Sequence, residues 1–202
     1  MLNKIYLFFA SFFTRRYLSF ISINKLKYNP SIIGYVHDDV TRNILNYGHH
    51  EYNIQTKSIT FIIENYIKNL DTLIDCGANI GTTAINLNDY FKKIYCIEPL
   101  KNTFNILKMN TIHYKNIECI NVLLSDKEDK YFLSYDSGYL AGASVNSNGK
   151  YKEKVYSNTL DKIFKNINFK NLCIKMDIEG NEYKALLGSK EIIAKYKPIF
   201  FI

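Results

Sequence analysis

Five short apolar runs recur between Thr72 and Ile202: TLIDCG, KIYCIEP, IECINVLL, NLCIKMDIEG and KPIFFI. Runs this short and this apolar read as strands buried on both faces. The stretches between them read mostly as helices: Thr82 to Phe91, Leu100 to Met109, NTLDKIF, and NEYKALLGSKEIIAKY. Strands alternating with helices predict an α/β fold, a mostly parallel sheet with helices on both faces. Such sheets bind ligands beyond the carboxyl ends of their strands. Here those ends carry Asp75-Cys76-Gly77, Glu98-Pro99, Ser125-Asp126 and Asp177-Ile178-Glu179-Gly180. Four separate strand ends therefore bring polar or acidic groups to one edge.

Before this alternation, Ser58 to Leu70 has helical periodicity, with Ile59, Ile62, Ile63, Tyr66, Ile67 and Leu70 on one face. Between the third and fourth runs, Ser134 to Lys150 is polar and glycine-rich and reads as a loop or a hairpin excursion. Two units follow: an N-terminal extension over residues 1–56 and a catalytic-type domain over 57–202.

The extension is where the charge is uneven. The chain has a net charge of +7, and Lys4, Arg15, Arg16, Lys25 and Lys27 all precede the first acid, Asp38. Next to the apolar stretch Ile5 to Phe13, these residues suit peripheral contact with an anionic membrane through residues 1–28, or a solvated helix face. The apolar stretch is far short of the roughly 18 residues needed to span a bilayer. Arg15-Arg16 follows it at once without an A-x-A site, which argues against a cleaved signal. The other basic residues are scattered among acids with no recognition motif, so no nucleic-acid partner is expected. Cys76, Cys96, Cys119 and Cys173 each fall in a core run without C-x-x-C spacing, as buried reduced thiols do. That pattern favours the cytoplasm.

The loop Asp75-Cys76-Gly77-Ala78-Asn79-Ile80-Gly81 resembles a nucleotide-binding turn but departs from G-x-G-x-x-G, with Asn79 at the second glycine position. Glycines let a ligand approach the backbone, and the start of the next helix offers N–H groups to an anion. Asp75 would repel a pyrophosphate. A ligand carrying both an ammonium and a carboxylate resolves the conflict, with Asp75 on the cation and the helix start on the anion. The amino-acid end of S-adenosylmethionine is such a group. Glu98, 17 residues after Gly81, suits a carboxylate that accepts from both ribose hydroxyls. Ser125 and Asp126 suit either the adenine edge or a turn.

The blocks LIDCGANIG, IEPLKNTFNILKMN, NVLLSDKED, NTLDKI and IKMDIEGNEYKALLG follow one another in the order seen in FkbM-type methyltransferases. The resemblance runs from about Ile59 to the C-terminus, and IKMDIEGNE is its most specific element. It implies a Rossmann-like class I fold, S-adenosylmethionine as cofactor, and O-methylation, often of a sugar or polyketide hydroxyl. It implies that Asp75, Gly77, Asn79 and Gly81 form the loop at the methionine end, and that Glu98 is the ribose ligand. Asp177, Glu179 and Glu182 then form an acidic block beside the reaction centre. Class I sheets normally have seven strands, so five runs imply a sheet truncated after its fifth strand.

Methyl transfer to an alcohol needs a base. Asp177 is the first candidate and Glu179 the second. His49, His50 and His113 are weaker candidates. The two carboxylates can also ligate a divalent cation, but no further ligand set is evident, so no metal is expected. Tyr135, Tyr139 and Tyr151 suit stacking on a sugar ring. The alternatives are a non-catalytic chain that binds cofactor or a partner, and a nicotinamide-dependent oxidoreductase, which the altered glycine pattern disfavours. The acceptor is expected to be a glycan or a small secondary metabolite.

Overall fold

The computed structural model describes residues 32–35, 54–67, 70–136, 139–145 and 148–202, together with Phe13, Val40, Thr41 and Ile44. Residues 1–12 and His49-His50 lie outside the described set. Helix α1 (Ile54–Tyr66) leads into the alternation. It continues with β1 (Thr72–Cys76), α2 (Thr82–Asn86), a 3₁₀ turn (Asn88–Tyr90), β2 (Lys93–Ile97), α3 (Lys101–Thr111) and β3 (Ile117–Ile120). Four strands follow in part side by side: β4 (Leu123–Leu124), β5 (Asp129–Asp136), β6 (Tyr139–Ser144) and β7 (Tyr151–Asn158). The chain closes with α4 (Leu160–Ile163), β8 (Leu172–Met176), α5 (Glu182–Leu187), α6 (Lys190–Tyr196) and β9 (Ile199–Phe201).

The main sheet has five strands in the order β3-β2-β1-β8-β9, and every neighbouring pair is parallel. In β1 and β8 all five residues are buried, as a central parallel strand covered on both faces requires. One face packs Leu73, Ile94 and Cys96 beneath Ile59 and Ile63 of α1, Ala84 of α2, and Phe104 and Leu107 of α3. The other packs Ile74, Cys76, Ile97 and Met176 against Leu160 of α4, Ala185 of α5 and Ile192 of α6. The fold is thus mixed α/β, a parallel sheet between two layers of helix. Strand order runs outward from β1 to β3, then restarts on the other side of β1 with β8. The gap above β1 and β8 is therefore a topological switch point, where open α/β sheets bind ligands.

Two expectations need correcting. The run IECINVLL is not one strand. The amide of Asn121 donates to the carbonyls of Glu98 and Pro99, pulling the chain out of the main sheet after Ile120. Leu123 and Leu124 then pair with β7 in a second sheet, ordered β4-β7-β5-β6. The stretch 134–150 takes the hairpin alternative: β5 pairs antiparallel with β6 and, on its other side, with β7 from Asp129↔Ser157 to Tyr135↔Tyr151. Finally, NEYKALLGSKEIIAKY breaks into two helices. A Cβ at Gly188 would lie 2.2 Å from the Ser125 carbonyl oxygen, so the helix surface must turn aside there. The Asp161 carboxylate accepts from the N–H groups of Glu191 and Ile192 and caps the new start.

Helix α1 ends at Tyr66, which is exposed rather than on the buried face. Asn110 of α3 accepts from Ile33 N–H and donates to the carbonyls of Ile33 and Ile80. Residues 32–35 are thereby tied to the core. No helix among the described residues is long and apolar enough to cross a membrane. All four cysteines are free thiols, three of them buried, and each lies in a strand of the main sheet.

Candidate functional site

A cavity of about 150 Å³ opens to solvent at the carboxyl ends of β1, β2 and β8. Its floor is the loop after β1, with Glu98 on one side and Lys175, Asp177 and Glu179 on the other. Its far wall is apolar: Leu123 and Leu124, and Leu133, Ala143 and Val145 from the inner face of the second sheet.

The loop's shape depends on left-handed backbone at Gly77 (φ 76°), Asn79 (φ 50°) and Gly81 (φ 95°). Gly77 faces the backbone of the β8 loop so closely that a Cβ would sit 1.9 Å from the Asp177 carbonyl oxygen. The loop's N–H groups are largely spent inside the protein. Gly77 and Ala78 donate to Ile97 O, Gly81 donates to Ala78 O, and Asn79 donates to Glu98 Oε2 at 3.1 Å. Helix α2 behind it is only five residues long. These bonds engage the N–H groups of the loop itself, while Thr82 and Thr83, which open the helix, line the cavity.

Glu98 follows β2 and is 6% exposed. Besides Asn79, it accepts from Leu100 N–H through Oε1 at 2.9 Å. Burial pushes its carboxyl up to about 7, against the pull of these two N–H groups. The shift sets two opposite pH trends. The folded chain holds this proton from about 4.5, the ordinary value, to about 7, whereas an unfolded chain does not. The group's stabilisation is thus complete at low pH and is lost as pH rises through about 7. It amounts to on the order of 3 kcal/mol at most. A ligand that needs the ionised carboxylate should do the reverse, binding about tenfold more weakly at pH 6 than at pH 8. Thermal melts and titrations over that interval, compared with Glu98→Gln, would show the two trends. A pH-independent affinity would exclude contact with ionised Glu98.

Asp75 is completely buried and does not reach the cavity wall. It lies directly opposite Lys175 in the β1–β8 register, and Lys175 Nζ donates to its Oδ1 at 2.9 Å. Asp75 Oδ2 is buried without a hydrogen bond. Lys175 does line the cavity. Burial works against its charge, but the Asp75 and Asp177 carboxylates outweigh burial and hold the ammonium above the ordinary lysine value.

The acidic block divides by function. Glu182 accepts from the N–H groups of Ile178 and Gly180, tying the β8 loop into shape. Asn181 anchors the same loop to the Leu124 carbonyl. Asp177 and Glu179 open onto the cavity. Glu179 holds a left-handed conformation (φ 54°), which is uncommon outside glycine and costs strain. Burial raises its carboxyl above the ordinary value, helped by the charges of Asp177 and Glu182. Ser125 and Asp126 are not on the wall. The Ser125 hydroxyl bonds Asp126 Oδ1, and Val122 to Leu124 take the position expected of them. His113 is exposed near the end of α3, away from the cavity.

The model of the Methyltransferase FkbM domain matches residues 75–202. The chain belongs to the FkbM methyltransferase family. The match starts at Asp75, so the FkbM domain contains every side chain placed around the cavity above. No curated protein matches the chain. Among solved structures, the YcgJ protein from Bacillus subtilis is 15% identical with a TM-score of 0.30. That likeness covers 39% of this chain and 35% of that one, too little to bear on the fold.

Within the FkbM domain, the cavity residues that sequence reasoning passed over are Lys175, Asn181 and the apolar wall of the second sheet. Lys175 left one readable sign. A lone lysine in LCIKM, in a strand buried on both faces, must find a carboxylate, and TLIDC holds the matching lone aspartate.

Proposed function

We propose that the chain is an S-adenosylmethionine-dependent O-methyltransferase acting on a hydroxyl of a glycan or a small secondary metabolite. The observation that carries this reading is Glu98. A buried carboxylate braced on the glycine loop faces the crevice at the switch point of a parallel sheet, in a chain of the FkbM family. The cavity fits the cofactor's parts. Glu98 can accept from vicinal ribose hydroxyls, and Leu100, Val122 and Leu123 offer apolar faces to a planar base. In this reading the sheet is a Rossmann-like class I core. The chain works in the cytoplasm, and residues 1–28 give a peripheral contact with anionic membranes.

When bound, the cofactor supplies a methyl carbon made electrophilic by a sulfonium. The chain's task is to align an acceptor hydroxyl, exclude water and take the proton. Glu179 is the better-placed base. Its raised carboxyl is closer to neutrality and it makes no hydrogen bond among the described residues, whereas the charge of Asp177 is engaged with Lys175. Asp177 is the second carboxylate at the same lip of the cavity. Leu133, Ala143 and Val145 shield the opposite side from water.

Calorimetric titration with S-adenosylmethionine, S-adenosylhomocysteine and NADH tests the cofactor. The two S-adenosyl compounds should bind, NADH should not, and Glu98→Ala should lose both while its circular dichroism stays native. Binding of NADH alone would replace this reading with an oxidoreductase. Transfer of labelled methyl to a panel of hydroxyl acceptors tests the reaction. Glu179→Gln should lower kcat by roughly 10²–10⁴ and leave S-adenosylhomocysteine affinity unchanged. An unaffected kcat would pass the base role to Asp177.

A further inference from the structure

We infer that Lys175 is the residue that holds the carboxylate at the amino-acid end of the cofactor, with Asp75 behind it as its positioning residue. The inference rests on the cofactor reading above. An ammonium has three donors. Lys175 spends one on Asp75 Oδ1 at 2.9 Å and one on the Gly77 carbonyl at a longer 3.4 Å. The Asp177 charge lies close to the ammonium, which makes no further hydrogen bond among the described residues, and the lysine side chain forms part of the cavity wall. The other ionisable groups on that wall are Glu98, Asp177 and Glu179, so among the described residues Lys175 is the wall's only cation.

Four neighbouring backbone donors are already occupied. The N–H groups of Gly77, Ala78, Asn79 and Gly81 are all used within the protein, and α2 is a helix of five residues. An anionic ligand group that enters beside the glycine loop therefore meets the Lys175 ammonium. Asp75 fixes that ammonium in place. The bond joins partners directly opposite in neighbouring strands, and both side chains are almost wholly buried, with 0% and 4% exposure. This also explains a carboxylate just ahead of a nucleotide-type turn. Asp75 serves the lysine, and the lysine meets the ligand.

Two ligands separate this role from a merely structural one. S-adenosylhomocysteine carries the amino-acid end, whereas 5′-methylthioadenosine has the same nucleoside and no carboxylate. Both would be titrated calorimetrically into the wild-type chain, Lys175→Met and the double variant Asp75→Asn/Lys175→Met. The double variant leaves no lone buried charge and keeps the test valid if the single one fails to fold. The expected result is a roughly 10- to 100-fold loss of S-adenosylhomocysteine affinity in the variants, with 5′-methylthioadenosine binding unchanged. Equal losses for both ligands, or undiminished S-adenosylhomocysteine binding, would overturn the assignment of Lys175 alone. A folded wild type that binds neither ligand would remove the cofactor reading itself, and this inference with it.

Discussion

Alanine at position 77 is expected to abolish cofactor binding and to weaken the fold. Two independent costs coincide there. The backbone is left-handed at φ 76°, which costs a residue with a Cβ about 1–2 kcal/mol. The new methyl would also lie 1.9 Å from the Asp177 carbonyl oxygen, a backbone atom that cannot rotate away. The loops after β1 and β8 would have to part. They carry Asn79, which braces Glu98, and Asp177 and Glu179 at the lip. S-adenosylhomocysteine affinity should fall by at least about 100-fold, in line with a site displaced by an ångström or so. Calorimetry beside a thermal melt would check it. Near-native affinity in Gly77→Ala would mean that the two loops are not one rigid unit.

The second large effect lies one layer deeper. Lys175→Met alone should cost about 3–5 kcal/mol, because it leaves the Asp75 carboxylate buried with neither water nor a cation. For a chain of this length the melting temperature should fall by on the order of 10 °C. Asp75→Asn/Lys175→Met should recover most of that loss, since a buried pair replaced by uncharged side chains is often near neutral. The double-mutant cycle isolates the coupling between the two groups. Additive losses would show that the pair does not interact as the 2.9 Å contact implies. Stability and binding should part company here: the double variant restores the fold but not the affinity for a carboxylate-bearing ligand.

Such a pair shows where sequence reading stopped. The strands themselves were legible, because TLIDC, KIYCI and LCIKM are mostly apolar and almost wholly buried, as doubly covered strands are. Glu98 was legible too, since its place is set by local order: a strand end shortly after a glycine turn. The Asp75–Lys175 bond spans 100 residues and exists only because β8 returns to lie beside β1. Neither segment states that adjacency. IECINVLL failed for a different reason. An apolar run carries no mark at the point where it changes sheets, and the change is made by the Asn121 amide reaching back to Glu98 and Pro99. In 134–150, the polar, glycine-rich composition left loop and hairpin open, and the antiparallel pairing of β5 with β6 decides for the hairpin.

The second sheet enters and leaves the domain at one point. Leu124 pairs with Asn158, and Ser125 N–H donates to the Asn158 carbonyl, so the segment that makes the apolar wall begins and ends side by side. Everything between those two positions works as a cassette. Its inner face decides what fits over the cavity, while the strand ends that carry Glu98, Lys175 and Glu179 belong to the other sheet. Descent with modification can therefore rewrite the wall, in sequence, length or number of strands, without disturbing the floor. A change confined to that one contiguous stretch would reshape the wall and leave Glu98, Lys175 and Glu179 where they are.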